Sequence, residues 1–257
     1  MIELKRITYR SETDVILSDI TFSVNEKEKV VLLGINGVGK SSLLKILNGL
    51  IFPQKGIYLY KGEKLDENKL KNKSFNKKFR KEVVMLFQNP DVMLFNPTVY
   101  DEIAFGLRQF DFSDIDDRVK YWADIFGITK YLDKSPIDLS GGEKQKVCLA
   151  SILAIEPEVL LLDEPTSNLD PKTTGWFIDF LNDLNLTMIV TTHNLSIAGE
   201  LAERTIVLGE NHKILYDGKV ETFLKDKNLL IKANLVHIHK HRHNNIIHTH
   251  YHIHDWD

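Results

Sequence analysis

The sequence is poor in features that would place a protein outside the cytoplasm. It contains a single cysteine, Cys148, so no disulfide bond can form within the chain. Its apolar runs fall well short of the roughly 20 residues that a membrane-spanning helix needs. Its first ten residues, MIELKRITYR, lack the apolar core of a signal peptide. These absences predict a soluble, cytoplasmic protein, and they leave open that it docks on a membrane protein.

An excess of charge of either sign is also missing. Lysine and arginine together number 33 and the acidic residues 36, which gives a formal net charge of −3. Without an overall basic field, nucleic acid is not an expected partner. Hydrophobic residues make up 43% of the 257 positions, enough for a substantial core in one large domain or two small ones.

The most informative stretch is GINGVGKS at positions 34–41, which fits the phosphate-loop pattern G-x-x-x-x-G-K-[ST]. A buried strand is predicted before it and an amphipathic helix after it. In that setting the backbone N–H groups around Gly37 and Gly39 can close on a phosphate at the positive end of the helix. Lys40 is expected to reach the β- and γ-phosphates, and Ser41 to bind Mg²⁺. The candidate nucleotide-binding residues of this stretch are Gly34, Ile35, Asn36, Gly37, Val38, Gly39, Lys40, Ser41 and Ser42.

Three predicted buried strands lead into polar residues that suit a phosphate site. These residues are Gln88, Asp163 with Glu164, and His193. Open α/β sheets bind their ligands at the carboxyl ends of parallel strands. We expect Asp163 to hold Mg²⁺ and Glu164 to orient or activate the attacking water. By analogy, a histidine at such a position senses the γ-phosphate.

Two further features have more than one reading when only the residues are considered. The segment LSGGEKQK at 139–146 opens a predicted helix, and Ser140, Gly141 and Gly142 could offer backbone donors to a second phosphate. The more common alternative is an ordinary capped helix start. Tyr9, on the first predicted strand, could stack on an adenine ring or be an ordinary strand aromatic.

The sequence after position 236 is dominated by histidine. One block consists of His237, His239, His241 and His243, and a second of His248, His250, His252 and His254. Neutral imidazole binds nickel, cobalt, copper and zinc, and a spacing of two puts residues on one face of an extended segment. The alternative is a disordered tail with adventitious affinity for metals. We therefore predict a folded domain over residues 1–236 and a His-rich, flexible metal-binding tail over residues 237–257.

The phosphate loop, the segment LSGGEKQK, the strand LLLDEP at 160–165, the turn SNLD at 167–170 and His193 occur together in this order. This set resembles the nucleotide-binding subunit of ATP-binding-cassette (ABC) transporters, over residues 1 to about 230. The resemblance implies an α/β fold, namely a phosphate-loop (RecA-like) nucleotide-binding domain. It also implies an N-terminal antiparallel β-subdomain and an α-helical subdomain that carries the signature segment, LSGGEKQK.

The resemblance implies a role for each motif residue. Tyr9 matches the aromatic residue that stacks on adenine, and Gln88 the glutamine that contacts the metal and links the site to a membrane partner. Asp163, Glu164 and His193 match the Mg²⁺ ligand, the catalytic base and the switch histidine. The residues taken as further nucleotide contacts are Ser140, Gly141, Gly142 and Asp170. The signature would bind the γ-phosphate of ATP held by the opposite subunit, so a head-to-tail dimer with two ATP molecules is implied.

A finer resemblance lies in residues 87–106, which contain FQNPD, LFNPTV and DEIAFG. It is similar to the ATPases of energy-coupling-factor importers, especially their cobalt and nickel branch. In that family the segment meets a transmembrane coupling subunit, and a separate membrane protein captures the substrate. The resemblance implies an ATPase at the cytoplasmic face of the membrane that uses ATP and Mg²⁺ and pairs with itself or a paralogue. It would energise import of nickel or cobalt.

Other functions stay open at this point. The same ATPase could serve uptake of a vitamin or another small solute. A soluble DNA-repair or chromosome-type cassette ATPase would need a long coiled coil between Ser41 and Leu139, but the roughly one hundred residues there contain no heptad run. A metal-storage protein built on the tail would not need the complete catalytic set.

Overall fold

The computed structural model describes residues 1–167, 169–243 and 246–253, and within these it describes side chains as far as Val236. The chain forms two compact units. The first unit contains Met1–Leu65 and the chain from Val190 onwards, and the second contains residues 66–189. Strands and helices occur in both, which confirms the predicted α/β class.

The strands and helices of the described residues have the following bounds. The strands are β1 (Ile2–Arg10), β2 (Val15–Val24), β3 (Lys29–Leu33), β4 (Lys55–Tyr60), β5 (Glu63–Lys64), β6 (Val83–Leu86), β7 (Val159–Asp163), β8 (Thr187–Thr191), β9 (Arg204–Leu208), β10 (Ile214–Lys219), β11 (Val236–His243) and β12 (Ile246–Ile253). The helices are α1 (Lys40–Leu47), α2 (Glu67–Lys71), α3 (Lys73–Glu82), α4 (Val99–Gln109), α5 (Ile115–Ile125), α6 (Gly141–Leu153), α7 (Pro171–Asp183), α8 (Leu195–Leu201), α9 (Val220–Lys225) and α10 (Lys227–Lys232).

The first unit contains the predicted N-terminal antiparallel sheet, in the order β2-β1-β4-β5. Strand β1 pairs antiparallel with both β2 and β4. Ile2 and Leu4 of β1 are buried while Lys5 is exposed, as expected for a strand with one face on the core. The phenol of Tyr58 in β4 donates a hydrogen bond to the carbonyl oxygen of Leu47 at 2.8 Å and so ties this sheet to the end of α1.

The first unit also contains β3, which pairs in parallel with β9, while β10 pairs antiparallel with β9. Residues 30–33 of β3 are all buried. An apolar run of this kind is typical of a strand that is covered on both faces. Helix α8 packs against β3 and covers part of it.

The second unit has the strand order β8-β7-β6, and β6 and β7 pair in parallel with Leu86 opposite Leu162. Every residue of β6 and β7 is buried. Helices α4, α5 and α6 pack against one another and form a helical layer, as expected for the α-helical subdomain that the resemblance implied. Thr98 caps α4 by accepting a hydrogen bond from the backbone N–H of Asp101 at 3.1 Å.

Capping side chains shape two connections. Residues 61–81 are mostly helical, since Asp66 caps α2 and Asn72 caps α3. Residues 220–232 are divided into α9 and α10. The side chain of Asp226 accepts hydrogen bonds from the N–H groups of Asn228 and Leu229, so it starts a new helix.

The histidine-rich segment forms a two-stranded antiparallel sheet of β11 and β12. The register places three histidine pairs directly opposite one another: His237 with His252, His239 with His250, and His241 with His248. Leu235 and Val236, which lead into β11, are buried, and α10 packs against β11. His254 lies outside the described residues, and the side chains of the other tail histidines are not described. The division into a domain and a tail stays a prediction.

Within the described ranges, no helix is long and apolar enough to cross a membrane.

Candidate functional site

The phosphate loop of the first unit connects β3 to α1, and two of its glycines have left-handed backbones. Gly39 caps α1 with φ 109°, and a β-carbon built there would lie 2.6 Å from the carbonyl oxygen of Ile16. Gly37 has φ 80° but faces open space. The loop therefore needs glycine at position 39 for room as well as for backbone conformation.

Lys40 lies inside this loop and is buried, with 7% of its surface exposed. Its Nζ donates hydrogen bonds to the carbonyl oxygens of Gly34 at 2.7 Å and Ile35 at 3.2 Å. An ammonium group held at the start of a helix adds to the positive potential of the helix N-terminus. Ser41, the next residue of α1, is half-buried. A cation and a hydroxyl at this place suit a phosphate with its Mg²⁺.

Tyr9 belongs to the strands beside the phosphate loop. Its register partner in β2 is Leu17. A β-carbon built at Gly39 would lie 2.9 Å from the side chain of Leu17, so this part of β2 packs directly on the loop. Tyr9 is half-buried, and its strand pair packs on the phosphate loop. An aromatic ring in this position is suited to stacking on the base of a bound nucleotide.

One residue near the loop was missed by sequence reasoning. His212 lies in the turn between β9 and β10, and its Nδ1 is 3.4 Å from the carbonyl oxygen of Val38. The carbonyl of His212 also accepts a hydrogen bond from the N–H of Ser18 at 2.8 Å. The sequence marks this place only as a turn, because the contact joins positions that are far apart in the chain.

His193 is also in the first unit, between β8 and α8, and it is half-buried. The next residue, Asn194, caps α8 by accepting a hydrogen bond from the N–H of Ser196 at 2.9 Å. Because α8 packs against β3, the histidine sits at the start of a helix that covers the strand leading into the phosphate loop.

The second unit holds the two acidic residues at the end of β7. Asp163 is the last residue of the strand and Glu164 follows it, and both are buried. Glu164 has a left-handed backbone, with φ 47°. A residue with a β-carbon in this conformation is strained by about 1–2 kcal/mol, and such strain is concentrated at functional sites. The carbonyl of Glu164 accepts hydrogen bonds from Ser167, from the N–H at 3.2 Å and from Oγ at 3.0 Å.

Gln88 lies beyond the same edge of the sheet as Asp163. Strands β6 and β7 are parallel, and Leu86 pairs with Leu162, so the residues that follow them emerge together. A glutamine amide and a carboxylate both offer oxygen ligands, which Mg²⁺ prefers. Within the part of the chain whose side chains are described, no group of three His, Cys, Asp or Glu side chains forms a preformed metal centre.

The signature segment starts helix α6 with a capping box. The Oγ of Ser140 accepts a hydrogen bond from the N–H of Glu143 at 3.4 Å, and the Glu143 carboxylate accepts one from the N–H of Ser140 at 2.9 Å. Hydrogen bonds from the side chains of Tyr131 and Ser140 lower the pKa of Glu143 to about 2. Both interpretations of this segment are therefore consistent with the structure. It is a capped helix start, and no heavy atom lies within 4 Å of a β-carbon built at Gly141, which leaves room for a ligand.

Asp170 has a structural contact of its own. It caps α7, and its carboxylate accepts hydrogen bonds from the N–H groups of Lys172 at 3.0 Å and Thr173 at 3.1 Å. Hydrogen bonding to Thr173 lowers the pKa of the carboxyl group below its usual value.

An exposed apolar patch of Phe95 and Phe105 lies in the second unit. Phe95 is 66% exposed, and its ring meets that of Phe105 edge to face at 4.9 Å between centroids. The buried carboxylate of Glu102 accepts hydrogen bonds from the backbone N–H groups of Phe95 and Asn96 and so fixes the loop. Exposed aromatic groups held in place in this way are typical of a binding surface for another protein.

The predicted site residues are divided between the two units. Tyr9, the loop at 34–42 and His193 belong to the first unit, and Gln88, the signature residues, Asp163, Glu164 and Asp170 belong to the second.

Comparison with known proteins gives consistent results. The sequence profile of the ABC transporter family matches residues 17–167. A protein of Methanosarcina acetivorans named as an ABC transporter ATP-binding protein is 43% identical over 250 residues, which cover 94% of this chain and 91% of the relative. The energy-coupling factor transporter ATP-binding protein EcfA of Methanothermobacter thermautotrophicus is 36% identical over 241 residues, which cover 91% of this chain and 76% of the relative.

Among solved structures, a similar chain is cbiO1 from Clostridium perfringens, described as part of the ABC transporter complex cbiONQ. It superposes with a TM-score of 0.76 at 29% sequence identity, and the match covers 91% of this chain and 94% of that one.

Proposed function

Because this chain belongs to the ABC transporter family as an ATP-binding subunit of the energy-coupling-factor kind, we propose that it powers import of a transition-metal ion, nickel or cobalt. The observation that carries the choice of cargo is the histidine sheet β11–β12, with its three directly opposed histidine pairs. Energy for import comes from ATP hydrolysis, the activity of this family. A vitamin or another small solute is the alternative cargo.

In the proposed site, Lys40 and the loop around it bind the β- and γ-phosphates, and the ring of Tyr9 stacks on adenine. Ser41, Gln88 and Asp163 are the proposed ligands of Mg²⁺, which would neutralise charge on the phosphates. Glu164 accepts a proton from the attacking water, whose oxygen then bonds to the γ-phosphorus as the bond to ADP breaks. His193 donates a hydrogen bond to the γ-phosphate and so reports whether it is present.

The proposed assembly contains two ATPase subunits. The signature residues Ser140, Gly141 and Gly142 of one subunit contact the γ-phosphate bound by the other. Asp170, at the end of the turn SNLD, is the further nucleotide contact proposed at this interface. ATP binding would then close the pair and hydrolysis would release it. The second subunit is an identical chain or a paralogue, and the subunit masses in the purified complex distinguish the two.

The proposed membrane partners are a transmembrane coupling subunit and a substrate-capturing membrane subunit. The support is the exposed apolar patch, since Phe95 and Phe105 offer an aromatic anchor and Glu102 holds the loop in one conformation. In this proposal the chain works at the cytoplasmic face of the membrane without crossing it.

For the tail we propose a transition-metal site. The support is the backbone register, which sets three pairs of histidine positions directly opposite one another, together with the affinity of neutral imidazole for transition metals. The proposed ligands are His237, His239, His241, His243, His248, His250, His252 and His254. Their nitrogen donors favour Ni²⁺, Co²⁺, Cu²⁺ and Zn²⁺ over Mg²⁺.

The test of cargo is uptake of labelled Ni²⁺ and Co²⁺ by cells that express the chain with its candidate membrane partners. We expect wild type to import one of the ions and Lys40→Ala to import neither, since its nucleotide site is impaired. A complex that hydrolyses ATP and imports a vitamin, but neither ion, would contradict the metal proposal and leave the ATPase assignment intact.

The tail is tested by exchanging each histidine of β12 with its next neighbour. The variant carries His248→Thr, Thr249→His, His250→Tyr, Tyr251→His, His252→Ile and Ile253→His. Its composition is unchanged, but its histidines now lie opposite Lys240, Ile238 and Val236. We expect weaker binding of Ni²⁺ by titration calorimetry than in wild type. Equal affinity in the two chains would mean that the register does not matter and that binding is adventitious.

A further inference from the structure

Gln145 lies in helix α6 and is almost completely enclosed, with 1% of its surface exposed. Its Nε2 donates a hydrogen bond to the carbonyl oxygen of Pro165 at 3.1 Å. Because a carbonyl can only accept, this contact fixes the orientation of the amide. Among the described residues, none provides a hydrogen-bond partner for the buried Oε1 of the same side chain.

This arrangement is not explained by stability. A buried acceptor without a partner destabilises the fold, whereas a methionine of similar volume would fill the place without that cost. A buried polar group of this kind calls for a reason beyond packing, and a role in positioning a reactive group is one such reason. The hydrogen bond from Gln145 to the Pro165 carbonyl therefore indicates the role of this side chain.

The acceptor of that bond is the residue directly after the proposed catalytic base. Pro165 has no N–H, so its carbonyl is the one backbone group through which a hydrogen bond can hold it. Glu164, just before it, has the left-handed backbone described above. The turn is thus held from within by Ser167, which donates to the Glu164 carbonyl, and from α6 by Gln145.

Helix α6 also contacts the segment that follows Gln88. Lys144, the neighbour of Gln145, forms an ion pair with Asp91 at 2.7 Å, and the Sγ of Cys148 lies 3.7 Å from the carbonyl oxygen of Pro90. The N-terminus of the same helix is the signature segment. One rigid helix therefore joins the signature, the segment after Gln88 and the turn that carries Glu164.

We propose that Gln145 is a positioning residue that makes the alignment of Glu164 depend on the position of helix α6. This inference rests on the proposed function, in which the signature of one subunit contacts ATP held by the other. When that contact moves α6, the Nε2 donor moves with it and, through the Pro165 carbonyl, shifts the backbone that carries Glu164. In this way, contact of the signature of one subunit with ATP at one nucleotide site changes the alignment of Glu164 at the other site.

The test is Gln145→Met in the full-length chain assembled with its membrane partners. We expect kcat for ATP hydrolysis to fall about tenfold, as for one lost hydrogen bond to the aligned group, while KM for ATP changes by less than about twofold. The thermal midpoint should change little, because the variant removes the unpaired Oε1 acceptor but leaves the buried Pro165 carbonyl without its donor. Hydrogen exchange of the Ser167 amide should be faster in the variant with nucleotide bound.

The matched control is Ser151→Ala, which removes the hydrogen bond from Ser151 Oγ to the Val147 carbonyl (2.9 Å) on the same helix. It should leave kcat and the exchange of Ser167 as in wild type. A second variant, Gln145→Asn, keeps the amide but is too short to reach Pro165, so kcat and the exchange of Ser167 should change as in Gln145→Met, while its buried unpaired amide lowers the thermal midpoint.

Turnover at the wild-type rate in Gln145→Met would overturn the inference. A parallel fall of kcat, nucleotide affinity and thermal midpoint would also overturn it, because it would mean a structural role only. Absence of ATP hydrolysis in wild type is a different result that refutes the proposed function. Even then, exchange of the Ser167 amide in wild type and variant tests whether Gln145 holds the turn.

Discussion

Lys144 and Asp91 form an ion pair of 2.7 Å that joins helix α6 to the segment after Gln88. The ammonium side is mostly enclosed, with 17% of the Lys144 side chain exposed, and the carboxylate side is open to solvent. The segment that Asp91 belongs to leads into the exposed apolar patch around Phe95. A partner that binds the patch can therefore act on the signature helix, and this ion pair is one of the contacts that would transmit the effect.

The first prediction follows from this contact. We expect Lys144→Met to reduce the stimulation of ATPase activity by the membrane subunits by about 2- to 30-fold, the range of coupling energies for residues between two sites. Basal activity and stability should change little, because a partly exposed ion pair contributes only about 0.2–1 kcal/mol. The measurement is the ATPase rate with and without the membrane subunits.

The control is Lys71→Met, which removes the exposed ion pair of Lys71 with Glu67 on α2. Equal stimulation in both variants would contradict this role.

The second prediction concerns Glu164 as the catalytic base. We expect Glu164→Gln to lower kcat by about 10²- to 10⁴-fold, because an amide cannot accept the proton of the attacking water. Binding of ATP should be retained, as measured with a fluorescent nucleotide. Turnover like that of wild type would remove Glu164 from the mechanism.

The third prediction uses the backbone of the same residue. With φ 47°, any side chain with a β-carbon is strained at position 164, and glycine is not. We therefore expect Glu164→Gly to be more stable than Glu164→Ala by about 1 kcal/mol, even though both are inactive. Denaturant unfolding of the two variants measures the difference. A more stable alanine variant would show that the turn relaxes when the carboxylate is removed.

The fourth prediction compares two glycines of the phosphate loop. Gly39→Ala should lose ATP binding and stability, because its β-carbon would lie 2.6 Å from the Ile16 carbonyl oxygen. Gly37→Ala has open space and keeps only the strain of a positive φ, about 1–2 kcal/mol. Chemical unfolding and nucleotide titration of both variants test the order. Equal losses of ATP binding and stability in the two variants would mean that β2 moves to make room for the added methyl group.

The fifth prediction is a pH dependence at the start of α6. The pKa of Glu143 is lowered from 4.5 to about 2 by hydrogen bonds, so the carboxylate stabilises the fold above about pH 4.5 and this contribution is lost as the pH falls towards 2. Glu143→Ala should thus have a lower thermal midpoint than wild type near pH 7, with a difference that narrows on acidification. Glu143→Gln, whose amide oxygen can still accept from the N–H of Ser140, should lie between them. A difference that is constant with pH would argue against an ionic contribution.

Much of this architecture follows from local pattern. The strands before the phosphate loop and before Asp163 were predicted because short apolar runs end in glycine or acidic residues. The division between α9 and α10 at Asp226 does not follow from local pattern, because the same aspartate can equally lie on the exposed face of one continuous helix.

The sequence by itself determined the family, the phosphate loop and the residues that end each strand, because these are short motifs whose chemistry depends on near neighbours. Only the tertiary structure decided that His212 contacts the loop, that Gln145 holds Pro165, and that three histidine pairs lie in register. It also gave Glu164 its left-handed backbone. These features depend on which distant segments pack together, and a contact of that kind leaves no periodicity in the chain from which it could be predicted.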